Sequence, residues 1–237
     1  CAEIGGRVVS ATVRALGPVL VGVDGSASAA SAVAWATAEA SAEGTRLVLV
    51  HDSGAGRAVG RALLERARDG ARRSDPQARP ELVLEAPADE GPCPAGTIGR
   101  AVDAVGPDAG ATTVVGRRGS GGFRGMRLGS TARRLVHDGT GTLVLVPTGW
   151  EPTTVNPQAP VVAVASGTEQ EAERVVTAAR LRAERDERPL LVVRAGRYGH
   201  PVAEVLTHDA KAELIVLARG PTAAAVAEEA TSPVMIV

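Results

Sequence analysis

Aromatic side chains are nearly missing from these 237 residues: Phe, Tyr and Trp together make up 2% of the chain. A core must then be filled by Val, Leu, Ile and Ala, which suits buried strands under closely packed helices better than an aromatic-rich β-sandwich. Cysteine is equally scarce. Cys1 and Cys93 are too few for a disulfide framework and have no metal-ligand spacing, so a reduced, cytoplasmic setting is expected. No apolar run approaches the length of a membrane span. Net charge is lacking too: at −1 it gives no general attraction to nucleic acid or to a membrane surface, and neither is expected as a partner. Among 26 basic residues only Lys211 is lysine, and with abundant Ala, Gly and Arg this is the composition of a GC-rich bacterial genome.

What is present is alternation. Val19–Val23, Leu47–Val50, Leu82–Leu84, Thr113–Val115 and Leu143–Val146 read as buried strands. Ser28–Ala42, Val59–Arg73, Thr97–Val105 and Thr131–His137 read as helices between them. This β-α order predicts an open, mostly parallel sheet with helices on both faces. Ligands in such sheets bind beyond the carboxyl ends of the strands.

Four prolines and no periodicity mark Pro147–Pro160 as a linker, and after it the pattern restarts. Pro18–Ser26 is echoed by Pro160–Thr168, Leu47–Val50 by Leu190–Val193, Asp108–Gly119 by Asp209–Gly220, and Leu143–Val146 by Val234–Val237. Echoes in the same order indicate an internal duplication. The expected division is a first domain at 1–149, a linker at 150–159 and a reduced second domain at 160–237. Little stands between Arg194 and Pro201 to match the helix and strand of His51–Pro94. Gly220 runs straight into the last helix, where Gly119 is followed by a long loop.

That loop, Gly116–Ser130, holds six glycines and leads from a buried strand into a helix. Glycine allows positive φ and close backbone approach to a ligand. The unpaired amides and dipole of the following helix form an anion site, with Ser130 expected at the N-cap. From Ala109 to His137 there are six arginines (117, 118, 124, 127, 133 and 134) and no acidic residue, a charge suited to polyphosphate. Asp24, closing the first strand, can accept hydrogen bonds from ribose or adenine, or make an Asx turn ahead of the first helix; the two roles are compatible.

Gly116-x2-Gly119-x9-Gly129-Ser130 resembles the ATP-binding signature of universal stress proteins, and Val21–Ser26 resembles their opening strand. The resemblance implies an α/β fold of two tandem open, mostly parallel-sheet domains of universal stress protein (adenine nucleotide-binding, Rossmann-like) type, the second reduced. It implies Gly22, Val23 and Asp24 at the adenine and ribose end, Val50 against the base, and Val115 and Gly116 against the ribose. Arg118, Gly119, Gly129, Ser130 and Thr131 would hold the phosphates of ATP, with Mg2+ carried by the phosphates and no protein metal ligand. Gly22 departs from the proline that nucleotide-binding members often carry. The second copy, with Ser166 for Asp24, Leu217 for Gly116 and no loop, is expected to bind no nucleotide.

No general base or activated nucleophile accompanies the loop, so no catalytic residue is named. The expected role is an ATP-binding stress-response or regulatory protein with little or no turnover, read by an unidentified protein partner. The alternatives are a nucleotide-independent scaffold and, less favoured, a slow ATPase or a protein autophosphorylated at Ser130. Gly54–Gly60 lacks the dinucleotide-turn spacing and reads as a connection. His51 is expected to line the crevice, His137 to lie at a helix end, Cys93 to be a loop thiol, Trp35 to pack on the sheet, and Glu169–Arg188 to be an ion-paired helix face. By the resemblance, Leu143–Val146 would either pair antiparallel with Val234–Val237 as an internal pseudo-dimer or join two chains as a homodimer.

Overall fold

The computed structural model describes residues 17–85, 93–105, 110–119, 127–152, 156, 158–194, 201–209 and 211–237. Cys1, His200 and the middle of the glycine loop, 120–126 with Arg124, lie outside the described residues.

The first half runs β1 (Val19–Gly22), α1 (Ala27–Glu43), β2 (Leu47–Asp52), α2 (Arg57–Ser74), β3 (Glu81–Glu85), α3 (Pro94–Val105), β4 (Thr112–Gly116), α4 (Ser130–Asp138) and β5 (Thr142–Val146). The second runs β6 (Val161–Ala165), α5 (Glu169–Arg185), β7 (Leu190–Arg194), α6 (Pro201–Asp209), β8 (Leu214–Leu217), α7 (Pro221–Glu229) and β9 (Val234–Ile236). The strands form one sheet in the order β3-β2-β1-β4-β5-β9-β8-β6-β7. All its ladders are parallel except the central one. There β5 meets β9 antiparallel, Leu143 opposite Ile236 and Leu145 opposite Val234.

The fold is therefore an open, mostly parallel α/β sheet of Rossmann-like type. The order β2-β1-β4-β5 is repeated in reverse direction as β7-β6-β8-β9. Nothing described between β7 and α6 matches α2 and β3, so β7 is an outer strand of the sheet while its counterpart β2 is covered by β3.

Local chemistry sets the element ends. Ser26 caps α1 by accepting the Ala29 amide, and Gly44 ends that helix in the left-handed region at φ 62°. Thr168 and Glu171 form a reciprocal capping box at the start of α5. Two apolar layers cover the sheet. Ala32, Ala36 and Ala40 of α1, Leu64 and Ala71 of α2 and Val175, Ala179 and Ala183 of α5 pack on one face. Ile98 of α3, Leu135 and Val136 of α4, Val205 of α6 and Val226 of α7 pack on the other. Both layers cross the β5–β9 seam. Small alanines let the helices lie close to a sheet of branched side chains.

Trp35 is buried in the first layer and carries the Arg182 guanidinium 5.3 Å from its ring centre. The ionic face expected on α5 is turned inward rather than solvated. Arg182 and Arg185 both pair with the buried Glu39 of α1, and Arg185 reaches Glu43 at 3.0 Å. Among the described residues no helix is long and apolar enough to cross a membrane.

Candidate functional site

From β1 the chain turns to α1 on one face of the sheet, and from β4 it turns to α4 on the other. Between the carboxyl ends of these adjacent strands the helices diverge, which opens a crevice at a topological switch point. The cleft there is about 430 Å³, within the usual range for a small-molecule site. Its lining includes all eleven residues expected to form a cradle: Gly22, Val23 and Asp24 from the end of β1 and the turn after it, Val50 from β2, Val115, Gly116, Arg118 and Gly119 from β4 and the loop, and Gly129, Ser130 and Thr131 at the start of α4.

The loop's described glycines are needed for closeness, not for unusual dihedrals. Gly116, Gly119 and Gly129 all lie outside the positive-φ region. A Cβ on Gly116 would sit 2.6 Å from the Ser28 carbonyl carbon, because α1 rests on the end of β4. The packing of α1 is thus a second reason for glycine at 116, beside the cleft that it lines. A Cβ on Gly119 would sit 2.7 Å from Asp24 Oδ2, and one on Gly129 3.2 Å from the Gly119 amide nitrogen. At the loop's neck the Gly129 amide donates to the Arg117 carbonyl at 2.7 Å. The outgoing arm is fastened to α1, with the Arg118 amide donating to Ser28 Oγ at 3.3 Å and Ser26 Oγ donating to the Arg118 carbonyl at 3.4 Å.

Gly129, not Ser130, is the N-cap of α4, and no side chain caps its amides. Ser130 is the first helical residue. A glycine at this position brings no side chain of its own to the helix mouth. Asp24 Oδ1 accepts the Ser26 amide at 3.0 Å in an Asx turn, and its Oδ2 faces Gly119. Val50 and Val115 form a buried apolar wall.

Asp52, Thr97 and Ile98 also line the cleft and are not picked out by the sequence motifs. Asp52 Oδ2 accepts the Thr97 hydroxyl at 2.7 Å and the Cys93 amide at 3.2 Å, which draws the start of α3 over the end of β2. The alternation of β2 puts Asp52 on the face of Val50, so reading the strand two residues further would have found it. Its partners, more than forty residues away, carry no sequence signal.

His51 does not line the cleft. It is buried on the opposite face, with Nδ1 2.6 Å from the Val23 carbonyl oxygen. Gly60 is glycine because a Cβ there would meet the His51 ring at 2.7 Å. Cys93 Sγ accepts the Gly96 amide and an Arg134 N–H, both at 3.4 Å, and sits at the start of α3. His137 is exposed at the end of α4, with Nδ1 2.6 Å from Asp138 Oδ1. Among the described residues no group of His, Cys, Asp and Glu could hold a metal ion.

In the second half Leu217 is wholly buried where Gly116 stands in the first. Arg219, at the place of Arg118, donates to the carbonyls of Leu135 at 2.6 Å, Val136 at 3.0 Å and Gly141 at 2.8 Å. It closes the end of α4.

The model of the universal stress protein family matches residues 16–147. Two solved structures are similar along almost the whole chain. A universal stress protein from Archaeoglobus fulgidus has a TM-score of 0.68 and 13% identity, over 93% of this chain and 95% of that one. A functionally unknown protein, PA1789 of Pseudomonas aeruginosa PAO1, has a TM-score of 0.61 and 13% identity, over 94% and 93%. A universal stress protein in complex with cAMP shares 25% identity over 57% of this chain and 99% of its own, with a TM-score of 0.44. The two long matches show a common fold. No curated protein matches the chain significantly.

Proposed function

We propose that this chain, which belongs to the universal stress protein family, is a cytoplasmic regulatory protein that holds one ATP in the cleft above β1 and β4 with little or no turnover. The observation that carries the reading is the convergence on one cleft of an apolar wall, a carboxylate and an uncapped helix mouth behind a closed glycine neck. Val50, Val115 and Ile98 supply the surface against which a base packs. Asp24 offers a carboxylate to ribose hydroxyls. The amides of Gly119, Ser130 and Thr131, with the Arg118 guanidinium, face the place of the phosphates. Mg2+ would be held through the phosphates. Among the described lining residues the carboxylates are Asp24 and Asp52, and each accepts hydrogen bonds from the protein itself, which favours binding over hydrolysis. ATP then acts by ordering the loop and changing a surface that a protein partner reads. In the second half, Leu217 stands where Gly116 does and Arg219 is committed to the end of α4, and the role of this half is to cover the β5 edge as an internal pseudo-dimer.

Mass spectrometry of ligand released from freshly purified protein, followed by calorimetric titration of the stripped chain, tests this. One nucleotide per chain is expected. ATP–Mg at a hundredfold excess over Kd should stabilise the fold by about 2.7 kcal/mol. An unchanged Tm at millimolar ATP, or two equivalent sites per chain, would refute the reading.

A further inference from the structure

Three arginines of the glycine loop and its helix turn to the second half of the molecule instead of to the cleft. Arg117 Nη2 donates to the Glu228 carbonyl at 2.8 Å. Arg127 Nη1 lies 2.8 Å from Glu229 Oε1, and Arg133 Nη2 lies 3.6 Å from Glu228 Oε1. Among the described residues Arg118 is the one arginine in the cleft lining. Three of the five described arginines of this segment are thus turned to the last turn of α7, two of them in ion pairs.

We propose that Glu228 and Glu229 withhold loop arginines, Arg127 above all, from a bound nucleotide's phosphates, so that the second half sets how strongly the cleft distinguishes a triphosphate from a monophosphate. This rests on the nucleotide reading above. Two glutamates at the carboxyl end of a helix oppose its dipole, and α7 has no basic residue in its last turn to offset them. Their stabilisation comes from the arginines of the first half. Arg127 stands two residues ahead of Gly129, whose amide closes the loop's neck. A guanidinium so near the helix mouth in the chain is available to a phosphate unless another anion holds it.

The strength of the hold suits competition. The Arg127 and Glu229 side chains are 58% and 48% exposed, and a pair so open to water is worth only a few-fold in an equilibrium. A triphosphate, with several charges, can compete for Arg127; a monophosphate has less to offer. Arg117 is different. It is tied to a main-chain carbonyl and more deeply buried, so it remains an anchor between the halves.

The test is Glu228→Gln with Glu229→Gln in the full chain, which preserves side-chain size and the Glu228 carbonyl. Binding of ATP and of AMP is measured by calorimetry at low and at high salt. ATP should bind about three- to tenfold more tightly than to the wild type and AMP less than twofold, with the gain fading as salt rises. Adding Arg127→Ala should remove the gain. If the wild type binds ATP and the variant binds it equally or more weakly, or if AMP gains as much as ATP, the withholding is disproved while the nucleotide site stands. A wild type that binds no nucleotide beside a variant that does would overturn the proposed function and uphold the withholding. If neither protein binds, both ideas fall.

Discussion

Gly119 and Gly129 face each other across the neck of the loop, and each is glycine for a reason visible only with its neighbour in place. A Cβ at Gly119 would meet the Asp24 carboxylate, which would have to turn aside, and the backbone of residues 117–119 leaves little room at Gly129. Gly129→Val would place a branched side chain against that backbone and at the mouth of α4. ATP affinity should fall by a hundredfold or more in calorimetry, with the circular dichroism spectrum preserved. Retained affinity would show that the phosphates lie elsewhere. These glycines were legible as a motif, but the reason for them was not. The expected positive φ is absent at all three described positions, and at Gly116 the close neighbour is helix α1. Asp52 was missed because its role depends on hydrogen bonds to residues 93 and 97.

Among the elements, α1 and α5 are joined by a network of paired charges. Glu39 and Glu43 of α1 meet Arg182 and Arg185 of α5, which also hold Asp186 at the helix end, while Glu213 just before β8 pairs with Arg182 and Arg188. Burial first, and then the neighbouring Glu39 carboxylate, push Glu43 from 4.5 up to about 7, against the opposing pull of Arg185 and Arg182. The folded protein therefore keeps a proton that the unfolded chain releases between about pH 4.5 and 7. The stabilisation linked to that proton is complete below pH 4.5 and is lost as the pH rises through 7. Wild type should accordingly lose stability relative to Glu43→Gln across this window, measured by urea unfolding at pH 5 and pH 8. Parallel pH profiles for the two proteins would show that Glu43 does not titrate in this way. Sequence showed an ion-rich helix in α5; it could not show that the partners lie more than 140 residues away on α1.

For the whole molecule, the decisive contact is the antiparallel seam of β5 and β9. Without the second half, the apolar strand β5 would be an open edge, and edges of that kind invite pairing. A chain ending near Thr148 should therefore self-associate or precipitate, which light scattering coupled to size exclusion would register. A well-behaved monomer would mean that the second half is not needed as a cover. The succession of strands and helices was largely legible because buried parallel strands appear as apolar runs separated by helical patterns. The order of the halves across the seam depended on a repeat recognised from four short echoes.

The amino-acid sequence by itself determined the alternation of strands and helices, the duplication, and the single glycine-rich loop, since each is written in local periodicity and residue type. Only the tertiary structure decided where the charges go. Arg117, Arg127 and Arg133 are committed to the end of α7, and Arg219 to the end of α4. The reason is physical: a charge pairs with whatever the fold brings within a few ångströms, and that distance is set by packing between segments, not by spacing along the chain.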